Sequence, residues 1–200
     1  MPKSYKSFTG LTGFYYKTEG GEVKKAERIE YLQEISVSKE QSIEKAYGDN
    51  RVAEMAVTNG TVGLESTFHH LPLEDRVELF GLEQDENGIV AVGNDTPPYT
   101  AVIFAKTTEN GPTEYVGLKK GIFTFPEVSG TTKEDGVEFS QDQSTAEFME
   151  ADIEGFEEPK TMLLAKDEKG STKGRDMLWQ KIFGETFEGG SEEEEEGNTP

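Results

Sequence analysis

The chain has 200 residues, a formal charge of −20 and no cysteine. That length fits one domain, or one domain with a small appendage. The lack of cysteine excludes disulfides, thiolate metal sites and cysteine catalysis, and the acidity argues against gripping nucleic acid, which requires neutralised phosphates, though not against letting it slide past.

Residues 1–9 read as a polar arm, with Tyr5 and Phe8 as anchor candidates. They hold no apolar stretch long enough for a signal peptide, and no run in the chain is long enough to span a membrane, so a soluble protein is expected. A short strand is predicted at Leu11 to Lys17, followed by a charged loop at Thr18 to Lys25.

A long hairpin comes next. Ile29, Tyr31, Ile35 and Val37 alternate with Glu30, Glu34, Ser36 and Ser38; after the turn, Val62, Leu64 and Phe68 alternate with Thr61, Glu65 and Thr67. A period of two marks half-buried strands. Between them, Ser38 to Thr61 carries a turn signal at Tyr47-Gly48-Asp49-Asn50 and only scattered apolar residues, Ile43, Val52, Met55 and Val57. Strands that outrun their own core leave backbone and faces uncovered, and a second copy of the protein is the simplest cover.

Leu71 to Leu82 is predicted as a helix. Pro72 suits a first helical residue, Glu74 and Asp75 suit the positive end of the dipole, and Gly81 suits the C-terminal cap. Leu73, Val77 and Phe80 are spaced to form one apolar face. Asp85-Glu86-Asn87-Gly88 is a hairpin turn leading into Ile89 to Val92. Tyr99 to Lys106 is apolar on both faces, the mark of a central strand. Glu114 to Phe125 is another long strand, with apolar residues on both parities. Shorter strands are expected at Gly136 to Ser140, Ala146 to Ile153 and Thr161 to Ala165. Arg175 to Phe183 fits a helix or a strand. From Gly184 the chain is acidic and low in complexity, so 185–200 reads as a flexible tail.

Little in the sequence points to chemistry. Adjacent residues on a strand point to opposite faces, so His69-His70 cannot chelate one metal. Asp85-Glu86-Asn87-Gly88 lacks the ligand spacing of a calcium loop. Gly10-Leu11-Thr12-Gly13 lacks the lysine and helix of a phosphate loop. No carboxylate pair is singled out for glycoside hydrolysis. The expectation is no catalytic residue, no cofactor and no metal. Lys119-Lys120 is a basic spot in an acidic chain, an interface candidate or an exposed pair in mid-strand.

The ordered signals resemble the major tail proteins of long-tailed, non-contractile bacteriophages of Gram-positive hosts. The resemblance rests on Tyr47-Gly48-Asp49-Asn50, Glu78-Leu79-Phe80-Gly81, Asp85-Glu86-Asn87-Gly88, Pro97-Pro98-Tyr99-Thr100-Ala101, Asn110-Gly111, Gly121-Ile122-Phe123 with Pro126, and Thr131-Thr132-Lys133 with Val137-Glu138-Phe139. It spans about Gly10 to Lys166. It implies a mainly β tail-tube fold, with two packed antiparallel sheets in a sandwich or barrel, a flanking short α-helix and a protruding hairpin. The implied organisation is an arm at 1–9, a tube domain at 10–184 and a tail at 185–200. Copies would form hexameric rings that stack into a hollow conduit for DNA in a virion tail assembled in the host cytoplasm. Implied partners are further copies, a tape-measure protein and DNA in the lumen, and tail terminator and distal tail proteins, with no membrane. Ile43, Ala46, Tyr47, Gly48, Asp49, Asn50, Arg51 and Met55 would form the stacking hairpin, and Tyr5 and Phe8 the arm that reaches a neighbour. The long hairpin and Glu114 to Phe125 are the candidates for lining the lumen, with negative charge expected there. The alternative is an acidic, adhesin-like β-domain, monomeric, with its long hairpin folded onto its own core.

Overall fold

A computed structural model describes residues 7–20, 25–109, 111–128 and 141–188. Tyr5, the strand expected at Gly136 to Ser140, the Thr131-Thr132-Lys133 segment and the glutamate run lie outside the described residues. The chain runs β1 (Gly10–Thr18), β2 (Glu27–Ile29), β3 (Leu32–Gly48), β4 (Arg51–Phe68), α1 (Leu73–Phe80), β5 (Glu83–Gln84), β6 (Val90–Ala91), β7 (Thr100–Thr107), β8 (Thr113–Thr124), β9 (Asp142–Met149), β10 (Met162–Asp167) and α2 (Lys173–Phe183).

The fold is mainly β, with two antiparallel sheets and a flanking short helix, as expected, and a second helix, α2. The large sheet has the order β2-β1-β7-β8-β9-β4-β3, and β10 also pairs with β8. The small sheet is the β5–β6 hairpin. The large sheet curls until β4 faces β1, where the Phe14 and Phe68 rings meet edge to face at 5.0 Å. Between them lies the main core, with Phe14, Tyr16, Leu64, Phe104, Leu118 and Phe148 fully or almost fully buried. A second core lies on the other side of β7, β8 and β10, where α2 packs Leu178, Trp179 and Ile182. β7 is therefore buried on both faces: Val102 and Phe104 enter the first core, Ala101 and Ile103 the second. This is the central strand predicted from its two apolar parities.

β8 is the junction. Its first half, Thr113 to Leu118, pairs with β7 on one edge and β10 on the other. Its second half, Lys120 to Thr124, exchanges β10 for β9. The register with β7 shifts by one residue at this exchange, between Thr100↔Gly121 and Val102↔Leu118. A bulge flips the side-chain alternation, so Val116 and Leu118 point into the main core from even positions and Phe123 from an odd one. The mixed parity of this segment in the sequence is the trace of the bulge. Gly121 sits at the bend, where an added Cβ would lie 2.5 Å from the Phe148 ring.

The helices sharpen two expectations. α1 is shorter than predicted, and Pro72 caps it rather than opening it. Gly81 adopts φ 63° and its N–H reaches the Val77 carbonyl, as a left-handed cap should. Of the predicted face, Phe80 is buried and Val77 packs against the core, but Leu73 is exposed and Leu79 is buried in its place. Arg175 to Phe183 resolves as helix, within α2. The chain does not leave the domain at Gly184. The Glu185 carboxylate accepts from Lys17 Nζ at 2.9 Å and from the Ala26 N–H at 2.8 Å, and the Phe187 ring packs 4.7 Å from Trp179. The segment through Glu188 is thus part of the folded unit.

Candidate functional site

Two surfaces stand out, and both include β3 and β4. The first is the arm. The strands pair from Leu32↔Phe68 to Gly48↔Arg51, although the apolar pattern stops near Ser38 and Thr61. The turn residues Asp49 and Asn50 have φ of 50° and 60°, the paired left-handed conformations of a tight hairpin turn. From Lys39 and Thr61 outward every described side chain is exposed. Ile43 is 63% exposed, Tyr47 70% and Met55 64%. The monomeric alternative, which required this hairpin to fold back on its own core, does not match that exposure. Ala46, Gly48, Asp49, Asn50 and Arg51 lie at the tip.

The second surface is the outer face of β3, β4, β9 and the second half of β8. The register aligns Ser38, Gly63, Glu147 and Ile122 in one row, then Ser36, Glu65, Thr145 and Thr124, then Glu34, Thr67 and Gln143. The intervening residues Val37, Leu64, Ala146 and Phe123 point the other way and pack in or against the main core. The face is an open sheet of mostly short polar side chains. Glu34, Glu65 and Glu147 are the charged groups in these rows. The two ends of this four-stranded region are open edges among the described residues. β3 ends the strand order, and β7 pairs with β8 no further than Gly121.

The other sequence candidates fall elsewhere. Lys119 sits on the bulge and donates to the Lys181 and Ile182 carbonyls at 3.2 and 2.5 Å, capping the C-terminal end of α2. Burial lowers its pKa. Its ammonium is therefore engaged within the subunit. Lys120 lies over the Tyr99 ring at 4.2 Å, at the corner of the polar face. Phe8 is half exposed under Lys106, and the Thr9 N–H bonds to the Thr107 carbonyl, so the N-terminal segment starts along β7. His70 lies 3.2 Å from Asp142 on the surface. Among the described residues no cluster of His, Asp or Glu could hold a metal ion, and no helix is long and apolar enough to cross a membrane.

Sequence reasoning misses one buried polar site. Tyr16 is almost completely buried and donates to Asp75 at 2.6 Å and to Glu27 at 3.3 Å. It ties α1 to β1. Burial, then the Asp75 hydrogen bond, push the Tyr16 pKa far up, and burial raises that of Asp75. The partners are 59 residues apart in sequence, so no local pattern announces them.

An uncovered two-stranded arm beside an open-edged polar sheet defines a structural subunit whose surfaces are made for other chains. The sequence pattern of the phage tail tube protein family matches residues 34–192, and the chain belongs to that family. The match begins in β3 and runs through α2, so it takes in both surfaces. No curated protein matches the chain. The role is structural, in the tube of a virion tail.

Proposed function

We propose that copies of this chain close into hexameric rings and that the rings stack into a long, non-contractile tail conduit for DNA. The observation that carries this reading is the arm. A two-stranded hairpin is marginal alone in water, and this one reaches about 33 Å beyond its core at about 3.3 Å per residue. Only another chain can cover it.

The polar face of β3, β4, β9 and β8 lines the lumen in this reading. The free edge of β3 in one subunit pairs with the free edge after Gly121 in the next, which removes exposed edges around the ring. The arm crosses to the adjoining ring. The tape-measure protein and then DNA occupy the lumen without tight binding, and terminator and distal tail proteins close the ends. The resemblance to tail proteins of phages of Gram-positive hosts supports the non-contractile type and the host.

Negative-stain electron microscopy of the purified chain, alone and with tail initiator proteins, tests the proposal. Rings or tubes are expected. A chain that stays monomeric at high concentration with initiators present overturns it.

A further inference from the structure

The arm is two-faced, and the register says which face does what. On β3, odd positions face the core at the base: Ile35 and Val37 pack against it. The same parity continues outward as Lys39, Gln41, Ile43, Lys45 and Tyr47 without a break in β3. The slips are taken up by β4. Its register shifts between Lys39 and Gln41, and again between Ala46 and Tyr47. These shifts bring Val57, Met55 and Val52 opposite Ile43, Lys45 and Tyr47. Without them, Val57 and Met55 would point to the other side.

The result is sharp sorting. The core-side face of the arm carries Ile43, Tyr47, Val52, Met55 and Val57, two lysines and no carboxylate. The opposite face carries Glu40, Glu44 and Glu54 among Ser42, Ala56 and Thr58, with Arg51 as its one cation, beside the turn. That second face continues the polar rows of Ser36, Ser38 and Glu34 at the base.

The geometry points to a one-sided contact: the apolar, lysine-bearing face of the arm docks on the acidic body of a second copy, and the glutamate face stays open and prolongs the polar surface of the sheet. This rests on the tube reading and specifies how the arm serves it. Two arguments select a second copy as the occupant. Large apolar side chains on a marginal hairpin need cover. The lysines on that face also need acid, and a chain of charge −20 has it in excess. An acidic arm face turned toward that body would be repelled instead.

The absence of cysteine makes a clean test available. Met55→Cys and Glu54→Cys each place one thiol, on adjacent residues of opposite faces, in the full chain. Alkylation by a small maleimide is timed in free subunits and in assembled tubes. Met55→Cys should label at least about tenfold more slowly in tubes, while Glu54→Cys should change less than about twofold. Ile43→Glu with Val57→Glu should leave thermal unfolding of the free subunit unchanged and abolish tubes, and Glu44→Gln with Glu54→Gln should assemble like the parent chain. Tubes in which both thiols are equally protected, or only Glu54→Cys is, overturn the face assignment and leave the tube reading standing. Failure of the unmodified chain to form tubes with initiators overturns the tube reading, and this inference with it.

Discussion

Asp142, at the start of β9, ties α1 and the loop before it to the sheet. It accepts from the Leu71 N–H at 2.8 Å and from Arg76 at 2.9 Å, fixing the entry to α1 against β9. Burial alone would raise its pKa, but the Leu71 N–H and the Arg76 guanidinium outweigh that and hold it lower. Its stabilisation is therefore full above its unfolded value near 3.8 and is lost as pH falls through the folded value. Asp142→Asn should cost about 1–2 kcal/mol at pH 7 in urea unfolding, at the low end because the group is partly exposed, and the deficit should shrink toward zero as pH falls through the folded value. Asp75 has the opposite sign. Burial raises its pKa, with Glu74 adding to the effect against the Tyr16 hydrogen bond. Its favourable contribution is present below the unfolded value and is lost as pH rises through the folded one. Asp75→Asn keeps an acceptor for Tyr16, so it should be neutral or stabilising at pH 7 and should flatten stability above about pH 4. A parallel pH profile for the variant and the parent would exclude this account. At the bend of β8, Gly121→Ala drives a Cβ into the Phe148 ring, at a cost of about 1–3 kcal/mol seen as a lowered urea midpoint.

Deletion of Ala46 to Arg51 should spare folding, because no core residue lies in that stretch, and should stop ring stacking. Circular dichroism checks the first outcome and electron microscopy the second; normal tubes would refute the role given to the tip. At the other end of the domain, Phe187→Ala should lower stability by about 1–2 kcal/mol, because the ring packs on Trp179 and lies under Arg175 at 3.7 Å. What is legible in the sequence follows from how local each signal is. The tight turn at Asp49 and Asn50, the Gly81 cap and the double-sided β7 are set by neighbouring residues, and all are readable. Leu73 misleads because an apolar spacing says that a helix has a face, not where along it the core ends. The acidic composition of Glu185 to Glu188 suggests a tail, whereas its order comes from Lys17 and Trp179, distant in sequence. Lys119 resembles an interface cation for the same reason: its acceptors are carbonyls of α2, at Lys181 and Ile182. The polar face is invisible as a unit, since it exists only once β3, β4, β9 and β8 are in register.

A subunit of charge −20 must overcome its own repulsion to assemble. The distribution of charge resolves the conflict in part. The lysines of the arm lie on its apolar face, and the carboxylates of the sheet and arm lie together on the other. In a closed ring the glutamates would line a channel whose cargo is also anionic, and mutual repulsion keeps a polyanion from binding the wall. Glu34→Lys, Glu65→Lys and Glu147→Lys in one chain reverse that charge without touching either core, since all three side chains are exposed. Tubes should still form. DNA release from particles carrying the triple variant should slow at low salt and recover as salt rises, because each phosphate that a lysine neutralises releases counterions and steepens the salt dependence. Release times that match the parent at every ionic strength would mean that the channel wall is not this face, and the open edges of β3 and β8 would then have to close a ring with the sheet turned outward.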